Sequence, residues 1–206
     1  MTEQEWQNAS EPHALLEFLL SGGRPSDRKL RLFAVACSRR MWGWVDAPGR
    51  TAVDVAEDFA DGLAGPEEMR AARLACQGAG GRAAWYAAAT SPAIAARNAA
   101  RSAQAGAASV LLGSEADELL AQAKLVREIF GNHFRRFSAD PSWLTPGVVK
   151  LAQAIYDGRA FDRTPELADA LEEAGCANEA FLGHCRGPGP HVRGCWVVDL
   201  MLGRDS

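Results

Sequence analysis

Fourteen of the 26 residues from Ala83 to Ala108 are alanine, with Trp85, Tyr86 and Ile94 among the few large side chains. Alanine is the strongest helix former, and its small side chain lets neighbouring helices approach closely. The stretch therefore predicts tightly packed helices, broken where Ser91 and Pro92 interrupt the run. A flexible low-complexity linker is the alternative.

The rest of the chain repeats cap, stripe and stop signals of the same class. Thr2 and Glu5 have the spacing of a capping box, and Pro12 opens a short helix that Ser21, Gly22, Gly23 and Pro25 stop. Ser26 heads a long helix expected to run to Val45, with Leu30, Phe33, Ala34, Cys37, Met41, Trp44 and Val45 on one face. Its other side carries Leu32, Val35 and Trp42 among arginines, so two packed sides are expected. Val53, Ala56, Phe59, Ala60 and Leu63 keep helical spacing, and Pro66 with Glu67 and Glu68 opens the next helix, which the glycines at 78, 80 and 81 interrupt. Ser114 heads a helix striped by Leu119, Leu120, Ala123, Val126, Ile129 and Phe130, with Gly131 and Asn132 as its stop. An aperiodic segment, HFRRFSADPSWL, follows, its aromatics expected to pin a loop. Thr145–Pro146 and Thr164–Pro165 start two further helices, and Gly175 ends the second. No period-two strand pattern competes. The expectation is an all-α fold, a single helical domain over 1–206: short helices in 1–25, a helical body in 26–175, and a C-terminal block, 176–206, folded back over the helix that begins at Thr164.

Three blocks carry a resemblance: DRKLRLFAVACSRRMW, then LVREIFGNHFRRFSADPSWLTPGVVKLAQAIYDGRAFDRTPELADALEEAGC, and HCRGPGPHVRGCWVVDLMLG. The chain resembles a family of uncharacterised proteins of planctomycete-type bacteria, whose members open with a similar acidic segment containing tryptophan. The resemblance covers most of the chain and implies a bacterial protein, but it implies no activity and no catalytic residue.

With a formal net charge of -4, the chain lacks the excess of Lys and Arg that drives general nucleic-acid binding. Arg24, Arg28, Lys29, Arg31, Arg39 and Arg40 spread around the long helix and read as a salt-bridged surface rather than a phosphate-binding stripe. No apolar run is long enough to span a bilayer, and the first residues lack the features of a secretory signal. The expected setting is cytoplasmic, where five cysteines stay reduced.

Chemistry is concentrated in the C-terminal block, where Cys176, His184, Cys185, His191 and Cys195 are candidate metal ligands. Zinc takes four Cys or His ligands in a tetrahedron, although no CxxC pair is present and adjacent His184 and Cys185 point in different directions on regular backbone. Arg186, His191 and Arg193 around the glycine-rich turn form a candidate anion site, against a reading in which an arginine docks the tail on Asp199, Glu172 or Glu173. Cys185 or Cys195 beside His191 is a candidate nucleophile pair. Plain packing of reduced cysteines with hydrogen-bonded histidines is the simplest account, and structural zinc is the one cofactor to weigh against it. The apolar run Trp196, Val197, Val198, Leu200, Met201 and Leu202 is expected to be buried. His13 reads as a lone surface residue. With no catalytic motif, the chain reads as a non-enzymatic interaction or regulatory module for a protein partner; an enzyme or a binding protein for a metal or small anion, built on the C-terminal cluster, is the alternative.

Overall fold

A computed structural model of the protein describes residues 1–22, 25–77, 82–109 and 115–204. Gly23, Arg24, the glycines at 78, 80 and 81, and the Ser114 cap lie outside the described residues. The fold is all-α, with no strand among the described residues. The helices are α1 Glu3–Asn8, α2 Pro12–Gly22, α3 Asp27–Arg40, α4 Ala47–Ala60, α5 Pro66–Ala75, α6 Arg82–Ala87, α7 Pro92–Ser109, α8 Glu115–Phe130, α9 Pro146–Gly158, α10 Thr164–Glu173, α11 Glu179–Arg186 and α12 Trp196–Met201. Their contacts gather into two compact units, Met1–Arg127 and Glu128–Ser206. No described helix is long and apolar enough to cross a membrane.

Local signals set the helix ends. Glu5 N–H donates to Thr2 Oγ1 at 3.2 Å while Thr2 N–H donates to Glu5 Oε2 at 2.7 Å, a complete capping box. The alanine-rich stretch breaks before Pro92 as expected. The long helix ends at Arg40 rather than Val45, because the chain turns at Met41 into a single tight turn, Trp42–Trp44, that leaves Trp44 44% exposed. Leu63 is also exposed, beyond the end of α4.

In the first unit α3 is central. It packs against α4, α6 and most extensively α7, and every residue from Lys29 to Ser38 is buried. Ala95, Ala96, Ala99, Ala100 and Ala103 on α7 are fully buried. A helix with no side-chain bulk on its inner face admits a neighbour at short range. The break between α6 and α7 leaves carbonyls at a buried helix end, which alanines cannot satisfy. Arg31, only 2% exposed, does so: its guanidinium donates to the carbonyls of Ala87 at 2.9 Å, Ala89 at 2.8 Å and Thr90 at 3.2 Å. The other described basic residues of α3 are also accounted for, with Arg28 on Asp61, Arg39 on Asp54 and Glu57, Arg40 on Glu118, and Lys29 buried.

Of the expected stripe on α8, Ala123, Val126 and Ile129 are buried and Leu119 and Phe130 partly so, but its start differs. Leu120 is 42% exposed, whereas Glu118 and Gln122 are buried. Gln122 donates to Glu118 Oε1 at 2.8 Å and accepts from Gln104 at 2.8 Å, so polar groups take inward positions because they satisfy one another.

In the second unit α10 packs against α9 and α11, and α12 packs against α9. The C-terminal block thus folds over the helix at Thr164 through α11, while its last helix seats on α9. Thr145 caps α9 as expected, but Thr164 is already helical, its hydroxyl donating to Phe161 O at 3.1 Å. Trp196, Val197, Val198 and Met201 are buried, and Leu200 and Leu202 pack at the edge of that core.

Replacing Arg31 by Met removes the donor and orphans the buried carbonyls of Ala87 and Ala89, while that of exposed Thr90 is left to water. The expected loss is about 2 kcal/mol or more, since each buried unsatisfied acceptor costs about 1–3 kcal/mol. Arg97→Met, which breaks the exposed pair with Glu17, should shift stability by less than about 1 kcal/mol. Urea unfolding followed by circular dichroism measures both; equal midpoints for the two variants would contradict the assignment.

Candidate functional site

The second unit brings four ligating side chains of three chemical kinds to one point: Glu128, His184, His191 and Cys195, whose ligand atoms all lie within 4.8 Å of one another. Glu128 comes from the last turn of α8, which Gly131 ends at φ +65°. A Cβ at Gly131 would sit 3.2 Å from Trp196 Cγ, so glycine serves both the helix stop and the seating of the indole. His184 is carried on α11 and Cys195 caps α12. His191 is turned back toward α11 by a loop whose Gly189 adopts φ +77°; a Cβ there would meet His191 N at 2.7 Å.

The hydrogen positions follow from the partners. Trp196 Nε1 lies 3.1 Å from His184 Nδ1, and an indole N–H can only donate, so Nδ1 accepts and neutral His184 carries its hydrogen on Nε2. That atom lies 3.3 Å from Glu128 Oε2 and 3.2 Å from Cys195 Sγ. His191 faces an acceptor on each side, Glu128 Oε1 at 3.3 Å from Nδ1 and the Gly187 carbonyl at 3.2 Å from Nε2. With an acceptor on each side it is placed to donate from both nitrogens in its protonated form, beside a carboxylate only 3% exposed. Burial pulls the His191 pKa down, but the hydrogen bond and charge of Glu128, with the Gly187 carbonyl, outweigh it and the net shift is upward. His184 shifts the other way: burial lowers it, against Glu128 and with His191.

Aromatic side chains wall the site. Phe137 stacks on Trp196 with centroids 4.7 Å apart, and Phe181 meets Trp196 edge-on at 5.1 Å. Trp143 packs on Phe181 at 5.5 Å. The irregular segment after α8 is pinned as expected through Phe137 and Trp143, but not through Phe134, which is exposed.

Of the sequence candidates, His184, His191 and Cys195 meet, and Cys176 and Cys185 do not join them. Both are buried in the unit's apolar core. Cys185 is fully buried although its neighbour His184 faces the site, as the turn of about 100° between adjacent helical residues requires. Burial, with Glu128 and Cys176, pushes the Cys185 thiol up to about 12, and burial first, then Glu128, raises Cys195 as well. Neither is an activated thiolate in the metal-free chain, and Cys195 contacts His184 rather than His191. The anion trio does not converge. Arg186 pairs with Asp169 at 2.7 Å and Glu172 at 2.6 Å, His191 with Glu128, and Arg193 lies over the Tyr156 ring at 4.6 Å. The pairing of Arg186 with Glu172 is the tail-docking contact anticipated from the sequence. Glu128 was not among the sequence candidates; the available signal was an acidic residue three positions after Leu125, on the buried side of an amphipathic helix.

The chain matches no family model, no curated protein and no solved structure.

The opposed histidine shifts fix a pH profile for the metal-free chain. His191, raised, contributes stability that is fully present below the unfolded value near 6.5 and is lost as pH rises through its folded pKa. His184, lowered, contributes a term present above that value and lost as pH falls through its folded pKa. The histidine contribution should peak near pH 6.5. Chemical denaturation across pH should show His191→Gln flattening the alkaline limb and His184→Gln the acid limb; limbs unchanged by both variants would refute the protonation assignment.

Proposed function

We propose that the chain is a non-enzymatic binding module whose second unit holds a zinc-class divalent ion as a structural centre, with Glu128, His191 and Cys195 as ligands and His184 completing the set. The observation that carries this reading is a buried group of one oxygen, two nitrogen and one sulfur donor, all within 4.8 Å of one another. Zinc bond lengths of about 2.0–2.3 Å give a tetrahedron with edges of roughly 3.3–3.6 Å. The 3.2 Å between His184 and Cys195 is close to that, Glu128 reaches His184 through Oε2 and His191 through Oε1 at 3.3 Å each, and the widest separations, up to 4.8 Å, would have to close on an ion. Mixed imidazole, thiolate and carboxylate ligands suit zinc rather than calcium or magnesium. His191 has the outer arrangement that a metal-bound histidine takes, its Nε2–H on a backbone carbonyl and its Nδ1 toward the centre.

Burial supports a structural role over a catalytic one. Glu128 is 3% exposed and Cys195 fully buried, and four protein donors fill a tetrahedron without an open position for substrate. A reducing cytoplasmic setting would keep Cys195 available as a thiolate ligand. Such a centre braces the second unit, leaving its outer surface to a protein partner.

One observation favours a second reading, a hydrogen-bonded cluster with no metal. Trp196 donates to His184 Nδ1, so a metal on Nε2 would set two N–H groups against each other unless the indole shifts. Cobalt(II) titration of protein purified without an affinity tag separates the two. The metal reading expects one equivalent bound, a tetrahedral spectrum with a thiolate charge-transfer band, and a change in tryptophan fluorescence as Trp196 lets go. Cys195→Ser should abolish the band and His191→Ala should weaken binding by at least about tenfold, while Cys176→Ser and Cys185→Ser leave both unchanged. If Cys195→Ser binds cobalt like the parent, or no equivalent binds, the cluster is held by protons alone.

A further inference from the structure

A cavity of about 420 Å³ lies in the first unit, between the end of α3, the Trp42–Trp44 turn, α6 and α7. Its polar lining is Arg82, Arg101, Tyr86, Asn98 and Ser102, with Trp44 as a further aromatic wall. No described lining residue is acidic, although the chain as a whole carries a net charge of -4. The geometry points to this cavity as a binding site for a planar organic anion, its ring against Trp44 and Tyr86 and its carboxylate, sulfonate or phosphate head on Arg82 and Arg101.

Several arginines of the chain are held by the fold itself, Arg28, Arg39, Arg40, Arg97, Arg163 and Arg186 by carboxylates and Arg31, Arg50 and Arg127 by backbone carbonyls. Among the described residues, Arg82 and Arg101 line the cavity with no acidic residue beside them in its lining, the carboxylate of Glu17, which Arg97 holds, acting on Arg101 only through its charge. Arg101 is nevertheless oriented, since its Nε–H donates to His13 Nε2 at 3.0 Å. His13 is therefore an acceptor rather than a lone surface residue, and burial together with the charge of Arg101 lowers its pKa and keeps it neutral. An imidazole tether through Nε fixes the guanidinium without an ion pair, which leaves its terminal nitrogens to serve an anion.

Shape and apolar surface argue for a ring on that anion. A volume of this size falls within the range of small-molecule sites, and inorganic phosphate alone would leave most of it empty. Trp44 is 44% exposed at the cavity, so a flat ligand would cover indole surface that the fold itself leaves in water. Asn98 and Ser102, on α7 beside Arg101, add hydrogen-bonding groups of either polarity for the ligand's edge. A cation would meet two positive side chains, and a purely apolar ligand would strip water from both guanidinium groups without return.

The test uses the full chain with 2-naphthoate and its neutral counterpart 2-naphthylmethanol as probes in isothermal titration calorimetry. The expected result is saturable naphthoate binding below about 1 mM, with the alcohol at least about tenfold weaker. Arg82→Gln with Arg101→Gln should weaken naphthoate about tenfold or more and leave the alcohol unchanged, because one charge-assisted contact is worth about that factor. Trp44→Ala, at an exposed position that the fold tolerates, should weaken both probes. Equal affinity for the two probes, naphthoate binding unaltered in the double arginine variant, or no saturable binding up to about 5 mM would overturn the proposal.

Discussion

The carboxylate of Glu128 is withdrawn almost completely from water, and the second unit is built to meet that condition. An ionised carboxylate left unpaired in such a place would cost several kcal/mol, more than most single contacts contribute. His191 and His184 each bring a ring nitrogen to one of its oxygens, and each arrives from a different part of the chain. The glycine at 189 exists to turn His191 back, the glycine at 131 to let Trp196 sit against the end of α8, and Trp196 in turn fixes which nitrogen His184 presents. Removing any one member leaves another without its partner, so the group stands or falls together.

Under the proposed metal reading, the same group would set protons and a metal ion in competition. To coordinate an ion, His191 must give up the Nδ1 proton that Glu128 stabilises, and Cys195 must give up a proton that burial holds on sulfur. Metal affinity must then fall on acidification, because each ligand is prepared by losing a proton. In that case Glu128 would face a dication in place of the imidazole N–H groups it now meets.

Legibility divided along the range of the interactions. The Thr2–Glu5 box, the Thr145 cap and the break at Pro92 involve residues within a few positions of one another, and the backbone obeys them wherever the helices later pack. The all-α class followed for the same reason. Apolarity alone does not mark the inner face of α8: Leu120 lies outside while Glu118 and Gln122 lie inside, held by hydrogen bonds to each other and to Gln104. Glu128 escaped notice on the same ground. Its partners come from α11 and the segment after it, and no spacing within the C-terminal block could reveal a ligand on another helix. Within that block helix phase sorted the candidates, sending His184 to the cluster and Cys185 to the core.

The two places where this chain concentrates polar chemistry differ in whether the fold balances its own charge. At Glu128 the ring nitrogens, the indole and the carboxylate are matched to one another or to a carbonyl, with Glu128 and Cys195 buried and the two histidines partly exposed. In the first unit, Arg31 shows that the fold can silence a buried guanidinium completely, by spending three carbonyls on it. Arg101 is held by an imidazole, with the charge of Glu17 acting on it from the pair with Arg97, and Arg82 stands beside it in the same lining. Two guanidinium groups beside an exposed indole, with no described acidic residue in the lining, mark a surface suited to a negative charge brought from outside the chain.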